Sequence, residues 1–166
     1  MKDTTSISIF IADDEKMFVA SLEEYISQNF LNVKSEKFYS GEDVLAKINT
    51  CPDLVFLDYN LNDLNHHSRN GMSILKSILY RSPKTSVYIV SGLKDIDMAD
   101  VLIDNGAKGY IHKDNNTLNK IQEIISKEIL LKSESENKRN EKRKNKLLFL
   151  LPLLILIVLL LLSKII

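Results

Sequence analysis

Residues able to take part in chemistry stand at the ends of four strand-like runs in this chain of 166 residues. Each follows mostly apolar residues: Asp58 after 54–57, Asp13 and Asp14 after 7–12, Ser91 after 87–90, and Lys113 after 110–112. A carboxylate at the end of a buried strand costs free energy unless it is solvated, paired or bound to a cation. Open parallel sheets bind ligands outside the carboxyl ends of their strands, so these run ends are the candidate functional site.

The residue types at these ends suit phosphoryl transfer. If the first strand lies between the second and the third, Asp13, Asp14 and Asp58 share one pocket. Carboxylates at that distance raise each other's pKa or recruit a cation. Mg²⁺ fits, because it commonly binds one or two carboxylates together with water and a substrate phosphate. Lys113 adds a positive charge and Ser91 a hydroxyl, which completes a set that could position and neutralise a phosphoryl group.

Five strand-like runs that alternate with helical patterns must position these residues. The strands are predicted at 7–12, 33–39, 54–58, 87–90 and 109–112. The helices are predicted at 15–30, from 40 to about 48, at 71–80, at 96–105 and from 116 onward. Apolar residues recur at helical spacing in the predicted helices. The first, third and fourth strands are nearly continuous apolar runs, and the strand at 33–39 is weaker. This alternation predicts an α/β fold with a parallel sheet covered by helices on both faces.

The charges are distributed unevenly, although Lys+Arg and Asp+Glu both number 22. Residues 1–132 hold 15 basic and 19 acidic side chains, net −4, whereas residues 133–146 hold 6 basic and 3 acidic, net +3. An acidic domain argues against non-specific binding to nucleic acid, which depends on Lys and Arg. Cys51 is the single cysteine, so no intrachain disulfide is possible, and a reducing compartment is expected. No secretion signal is visible before the first strand.

The C-terminal part predicts a membrane anchor. Residues 133–146 form a basic charged linker or an extension of the last helix, and residues 147–166 are predicted to form a transmembrane helix. Residues 147–162 contain no polar side chain, and twenty helical residues span roughly 30 Å, the thickness of the hydrocarbon core. The basic residues before the span place the N-terminal domain, residues 1–132, on the cytoplasmic side. Whether the last helix runs unbroken into the span is left open.

Residues 6 to about 130 resemble the receiver domain of a two-component response regulator of the chemotaxis-regulator type. The resemblance rests on four stretches in order: Ile11-Ala12-Asp13-Asp14-Glu15, Val55-Phe56-Leu57-Asp58, Val90-Ser91-Gly92 and Ala107-Lys108-Gly109-Tyr110-Ile111-His112-Lys113. Each stretch is weak alone, and the four together across five β/α units are specific. The resemblance implies a flavodoxin-like doubly wound sheet of strand order 2-1-3-4-5.

The resemblance also implies a role for each matching position. Asp58 corresponds to the aspartate that accepts a phosphoryl group from a histidine kinase or phosphotransfer protein. The metal site for Mg²⁺ would be formed by Asp13, Asp14, Asp58 and the backbone carbonyl of Asn60. Lys113 corresponds to the lysine that pairs with the phosphoryl oxygens. The remaining matches are the switch residues, a hydroxyl and an aromatic ring on the output face: Ser91 and Tyr110.

Two departures from the family pattern lie outside this reactive set. The segment between Asp58 and Gly71 is several residues longer than usual and contains His66 and His67, for which an exposed polar loop is favoured over a metal site. Asp114 follows Lys113 where many receivers carry proline. The family often carries a DNA-binding module after the receiver, and the basic stretch and predicted span leave no room for one here.

The sequence therefore predicts a membrane-anchored, single-domain response regulator with no separate enzymatic domain. It would signal by contact with a downstream protein that the sequence does not identify, and not through nucleic acid. One alternative is a receiver-like, membrane-tethered scaffold that is never phosphorylated. Another is an aspartyl-phosphate hydrolase, which is disfavoured because such enzymes usually carry an aspartate where Asn60 stands.

Overall fold

A five-stranded parallel sheet forms the centre of the N-terminal part of the chain. The computed structural model describes residues 6–61, 71–93 and 96–162, with side chains at all of these except 96, 151 and 153–162. The strands are β1 (Ile7–Ala12), β2 (Val33–Phe38), β3 (Leu54–Asp58), β4 (Ser86–Ser91) and β5 (Gly109–His112). Their order is β2-β1-β3-β4-β5, and every neighbouring pair is parallel. The predicted flavodoxin-like sheet of order 2-1-3-4-5 is confirmed.

The strand register brings the reactive ends to one edge of the sheet. Ala12 pairs with Leu57, so Asp13 and Asp58 continue two neighbouring strands from matched positions. On the other side of β3, Asp58 pairs with Val90. The five strands end together because all run in one direction, as the chain order of strands and helices predicted.

The helices that follow the strands are α1 (Lys16–Asn29), α2 (Gly41–Lys47), α3 (Gly71–Arg81), α4 (Ile96–Asp104) and α5 (Thr117–Leu162). The backbone of Glu15 is extended, so this residue is the N-cap of α1 and not its first residue. Ser40 is the N-cap of α2 and accepts a hydrogen bond from the Asp43 amide, which satisfies one of the free donors of that helix end.

Two of the helical segments end at a residue whose backbone is in the left-handed conformation. Gly106 has φ +100° after α4, the left-handed conformation that glycine often adopts where a helix ends. A 3-10 turn at Ile48–Thr50 follows α2 and was not predicted. It ends at Cys51, which has φ 56° in spite of its side chain. The segment between α2 and β3 is therefore more ordered than the sequence pattern indicated.

The core lies between the sheet and its helices. Strand β3 is buried along its whole length, and the helices contribute apolar faces that are almost fully inaccessible. The helical members of the core are Val19, Leu22, Ile26, Val44, Leu45, Ile48, Ile74, Leu75, Ile78, Leu102, Ile121 and Ile125. Burying such side chains contributes about 1.5–3 kcal/mol each, so this core is the main favourable contribution to folding of the sheet.

The chain divides into two compact units, Met1–Ser126 and Lys127–Ile166. In the second unit the backbone is helical to Leu162 and Pro152 lies inside the helix. Among the described residues, no helix combines the length and apolar character that a membrane crossing needs. The predicted transmembrane helix is therefore not supported there, and most of it falls on side chains outside the described set, at 151 and 153–166. The predicted loop with His66 and His67 also lies outside the described residues.

Candidate functional site

Three carboxylates converge at the carboxyl edge of the sheet. One oxygen from each of Asp13, Asp14 and Asp58 lies within 4.8 Å of the others. Asp13 is 1% exposed and Asp58 5% exposed, whereas Asp14 faces solvent. The amide of Asp13 donates to the carbonyl of Phe38 at the end of β2, which fixes the backbone immediately after β1. The pocket predicted from the strand ends is therefore present, with two of its three charges buried.

Burial disfavours the charged forms of the two buried carboxylates, Asp13 and Asp58. Desolvation, followed by the charge of Asp13, raises the pKa of Asp58 from 3.8 to about 6. Desolvation also raises the pKa of Asp13, although its hydrogen bonds with Lys113 and the Glu15 amide act in the opposite direction. A cation would remove much of this cost, because it stabilises the ionised carboxylates.

Lys113 is shared among three carboxylates. Its Nζ lies 2.7 Å from Oδ2 of Asp13, 3.6 Å from Oε2 of Glu15 and 3.9 Å from Oδ1 of Asp58. Burial acts to lower the pKa of Lys113, but its hydrogen bond with Asp13 and the surrounding negative charges hold it above the ordinary value. Lys113 therefore remains charged, and its Nζ lies closer to the Asp13 carboxylate than to that of Asp58.

Two further contacts hold this lysine. The amide of Lys113 donates to the carbonyl of Ser91, at 2.8 Å, which anchors the residue to the end of β4. The Nζ also lies 4.7 Å from the centre of the Phe18 ring on α1, within the range of a cation–π contact. Phe18 was predicted only to lie within the helix at 15–30, and Glu15 was singled out only in a stretch that matches the family. Their contacts with Lys113 depend on the placement of the loop after β5.

The donor set of the pocket fits a hard divalent cation. Asp13 uses one oxygen, Oδ1, to accept from the Glu15 amide at 2.9 Å, and its buried Oδ2 has the Lys113 ammonium as its described partner. Asp14 and Asp58 each offer a carboxylate oxygen in the same cluster. Oxygen ligands with one exposed carboxylate leave room for water, as Mg²⁺ requires. Asn60 is exposed and lies two residues after β3, and its role as a backbone-carbonyl ligand stays a prediction.

The two predicted switch residues are joined through Leu93. Ser91 is completely buried at the end of β4, and its Oγ accepts from the Leu93 amide at 3.3 Å. The Tyr110 hydroxyl donates to the Leu93 carbonyl at 2.6 Å. Leu93 therefore connects the hydroxyl beside the pocket with the aromatic ring on β5. The sequence singled out both switch residues, but not Leu93, since the link uses only its backbone.

Comparison with known proteins identifies the family. A family model described as the response regulator receiver domain matches residues 9–126. The signal receiver domain of a putative Luxo repressor protein from Vibrio parahaemolyticus is 20% identical with a TM-score of 0.68, and the match covers 80% of this chain and 96% of that one. A CheY-like receiver domain protein from Methanospirillum hungatei JF-1 is 21% identical with a TM-score of 0.67, covering 79% and 99%.

A third solved structure, a BeF3-activated DrrB receiver domain, is 25% identical with a TM-score of 0.63, and the match covers 76% of this chain and 98% of that one. The matched region contains the acidic cluster, Ser91, Tyr110 and Lys113. The predicted resemblance is confirmed, and the chain belongs to the response regulator receiver domain family.

Proposed function

We propose that this protein is a phosphoacceptor response regulator in which Asp58 receives a phosphoryl group from a histidine kinase or phosphotransfer protein. The observation that carries the proposal is the buried carboxylate of Asp58, which lies in one cluster with Asp13 and Asp14 and 3.9 Å from the Lys113 ammonium. Receiver domains in general interact with such donors. Asp13, Asp14, Asp58 and the backbone carbonyl of Asn60 are the proposed Mg²⁺ ligands.

The proposed reaction forms a bond between an oxygen of Asp58 and phosphorus and breaks the bond between phosphorus and the donor's imidazole nitrogen. The attacking carboxylate must be ionised, and its pKa of about 6 leaves it mostly ionised at neutral pH. Lys113 stabilises the negative charge on the phosphoryl oxygens, and the fixed strand ends position the acceptor. Bound Mg²⁺ would neutralise charge on the carboxylates and the phosphate. The leaving imidazole takes up a proton from solvent.

Phosphorylation would be read through Leu93. Ser91 now accepts from the Leu93 amide, and its hydroxyl can instead donate to a phosphoryl oxygen on Asp58, the residue that ends the adjacent strand. Moving Ser91 would release the Leu93 backbone and so change its hydrogen bond with Tyr110. The downstream protein would therefore read the surface around α4 and β5.

The acceptor is tested with acetyl phosphate and Mg²⁺, measured by intact-protein mass spectrometry. Wild type is expected to gain one phosphoryl group that hydroxylamine removes, because an acyl phosphate is sensitive to this reagent. Asp58→Asn is expected to gain none, whereas Asp104→Asn, at an exposed carboxylate on α4, should behave like wild type. A mass gain that survives Asp58→Asn contradicts the assignment. No gain in wild type, and no response to BeF3, would favour the unphosphorylated scaffold.

We further propose that residues 147–166 anchor the protein in a membrane with the receiver domain on the cytoplasmic side. The support is the absence of polar side chains from 147 to 162 and the exposure of the first apolar residues on the helix. Leu147, Leu148 and Phe149 are 67%, 72% and 78% exposed. Large exposed apolar surfaces of this kind mark interaction sites. The basic residues before them favour the cytoplasmic side.

The anchor is tested by alkaline carbonate extraction of membranes from cells that make the full-length chain. We expect the full-length chain to stay in the membrane pellet and a chain truncated after Lys146 to be recovered in the supernatant. Recovery of both chains in the supernatant contradicts the anchor and leaves the assignment of Asp58 untouched.

A further inference from the structure

Five basic side chains of α5 lie on one side of the helix. Ser135, Lys138, Arg139, Lys142, Arg143 and Lys146 line a common surface groove. At 3.6 residues per turn, the five basic residues fall within an arc of about 140°. From Lys138 to Lys146 the arc extends about 12 Å along the helix axis. We call these five residues the basic face.

The opposite side of the same segment carries two amides, one carboxylate and a single lysine. Asn137, Asn140, Glu141 and Lys144 line a second surface, which Arg143 borders. Lys144 projects about 170° from the centre of the basic face, and Glu141 about 130°. The positive charge is therefore concentrated on one side, with five of the six basic residues there, which a random charged linker does not require.

The basic face has no partner within the described part of the chain. All five side chains are exposed, and none forms a salt bridge with a described residue. Five neighbouring cations on one side of a helix repel one another, so an anionic surface outside the chain would stabilise this arrangement.

The residues that follow indicate which anionic surface this is. Lys146 is followed directly by Leu147, Leu148 and Phe149, which are exposed on the same helix. A cationic face that adjoins an apolar run matches the boundary between headgroups and acyl chains of a membrane. Nucleic acid is less suitable, because it offers no apolar layer next to its phosphates and residues 1–132 carry net charge −4.

We propose that the basic face binds the headgroups of anionic phospholipids, so that the protein prefers membranes, or regions of membranes, rich in them. The proposal rests on the membrane anchor proposed above and adds a lipid preference to it. Each basic residue near an anionic surface contributes enough for about a fivefold change in partitioning.

The experiment is flotation of the full-length chain with vesicles, at lipid concentrations at which less than half of the protein is bound. The vesicles contain phosphatidylcholine alone or phosphatidylcholine with one third phosphatidylglycerol. We expect stronger partitioning onto the anionic vesicles. The difference should shrink when NaCl rises from about 0.1 M to about 1 M, because the Debye length falls from about 10 Å to about 3 Å.

Matched variants separate the basic face from net charge. Lys142→Gln removes a charge from the face and is expected to weaken partitioning onto anionic vesicles about fivefold. Lys144→Gln removes one positive charge from the opposite side of the helix and should change partitioning onto anionic vesicles much less. The double variant Lys142→Gln with Asn140→Lys keeps the net charge but moves it off the face, and it should match Lys142→Gln.

The outcomes distinguish the two proposals. Equal flotation on neutral and anionic vesicles contradicts the proposed binding of anionic headgroups by the basic face and agrees with the membrane anchor. Flotation on anionic vesicles only, reversed by high salt, supports the basic face and contradicts the anchor. Equal effects of Lys142→Gln and Lys144→Gln show that only net charge matters and overturn the face. Tighter binding to duplex DNA than to anionic vesicles at equal phosphate concentration overturns the choice of lipid.

Discussion

The edge of the sheet and the C-terminal helix place side chains in opposite environments. At the edge, Asp13 and Asp58 are buried carboxylates, 1% and 5% exposed. On the helix, Leu147 and Leu148 are apolar and 67% and 72% exposed. A buried charged carboxylate and a solvent-exposed leucine side chain both cost free energy when the chain is alone in water. Each cost would be relieved by a partner proposed above: a cation at the edge of the sheet and an apolar phase at the helix.

The largest expected contrast is between two leucines of the two regions. Leu57 is completely buried in β3, so Leu57→Ala should lower the free energy of unfolding by about 2–5 kcal/mol. Leu148→Ala, at an exposed site, should change it by less than about 0.5 kcal/mol. Urea denaturation followed by tyrosine fluorescence measures this, because all six tyrosines precede residue 111. Equal losses would show that the helix is packed in solution.

The next largest effect is expected on removing the positive charge of the Lys113 side chain at the edge of the sheet. Lys113→Met leaves three carboxylates without their nearest positive charge. Removing one partner of a fully buried pair costs about 3–5 kcal/mol, and Lys113 is 19% exposed, so we expect a loss of about 2–4 kcal/mol at pH 7.5. Mg²⁺ should restore part of it. Lys120→Met, at the exposed pair with Asp114, is the control and should show no resolvable loss.

Removing the charge of a buried carboxylate should raise the free energy of unfolding, whereas removing Lys113 should lower it. The pKa of Asp58 is raised to about 6, so the folded chain holds this proton more tightly than the unfolded chain. Ionisation of Asp58 therefore destabilises the fold above about pH 6 and has no effect below about pH 4. Asp58→Asn should raise the free energy of unfolding by about 1–3 kcal/mol at pH 7.5 without Mg²⁺.

The pH dependence provides the check on that variant. Urea midpoints of wild type and Asp58→Asn should converge as the pH falls from 7.5 towards 4, and Mg²⁺ should narrow the gap at pH 7.5. A gap that is constant with pH would mean that charge at Asp58 is not its cause.

The smallest effect is expected at the hydroxyl of Tyr110. Tyr110→Phe removes the hydrogen bond to the Leu93 carbonyl, at 2.6 Å, and should cost about 0.5–1 kcal/mol. Because this contact belongs to the proposed readout, the variant should be phosphorylated at the wild-type rate. A slower rate of phosphorylation would show that Tyr110 contributes to phosphoryl transfer itself and not to the readout of phosphorylation.

The strands and the acidic pocket were predictable because each depends on local pattern and chain direction. Runs such as 54–58 end in their carboxylates, and parallel strands bring those ends together. The contacts of Lys113 with Glu15 and Phe18 were not predictable, since they depend on how the loop after β5 meets the start of α1. The left-handed backbone of Cys51 was also missed, because its residue type does not favour that conformation.

Gly71 has a consequence for how this protein can change over generations. Its amide donates to the carbonyl of Tyr59 at 3.1 Å, and a Cβ at Gly71 would lie 2.8 Å from the Tyr59 backbone. The chain thus returns, at the start of α3, to the residue that follows Asp58. Doubling the length of a closed loop costs only about 0.6 kcal/mol. Lengthening the connection after the buried Leu61 therefore costs little loop-closure free energy, next to an acceptor that stays in place.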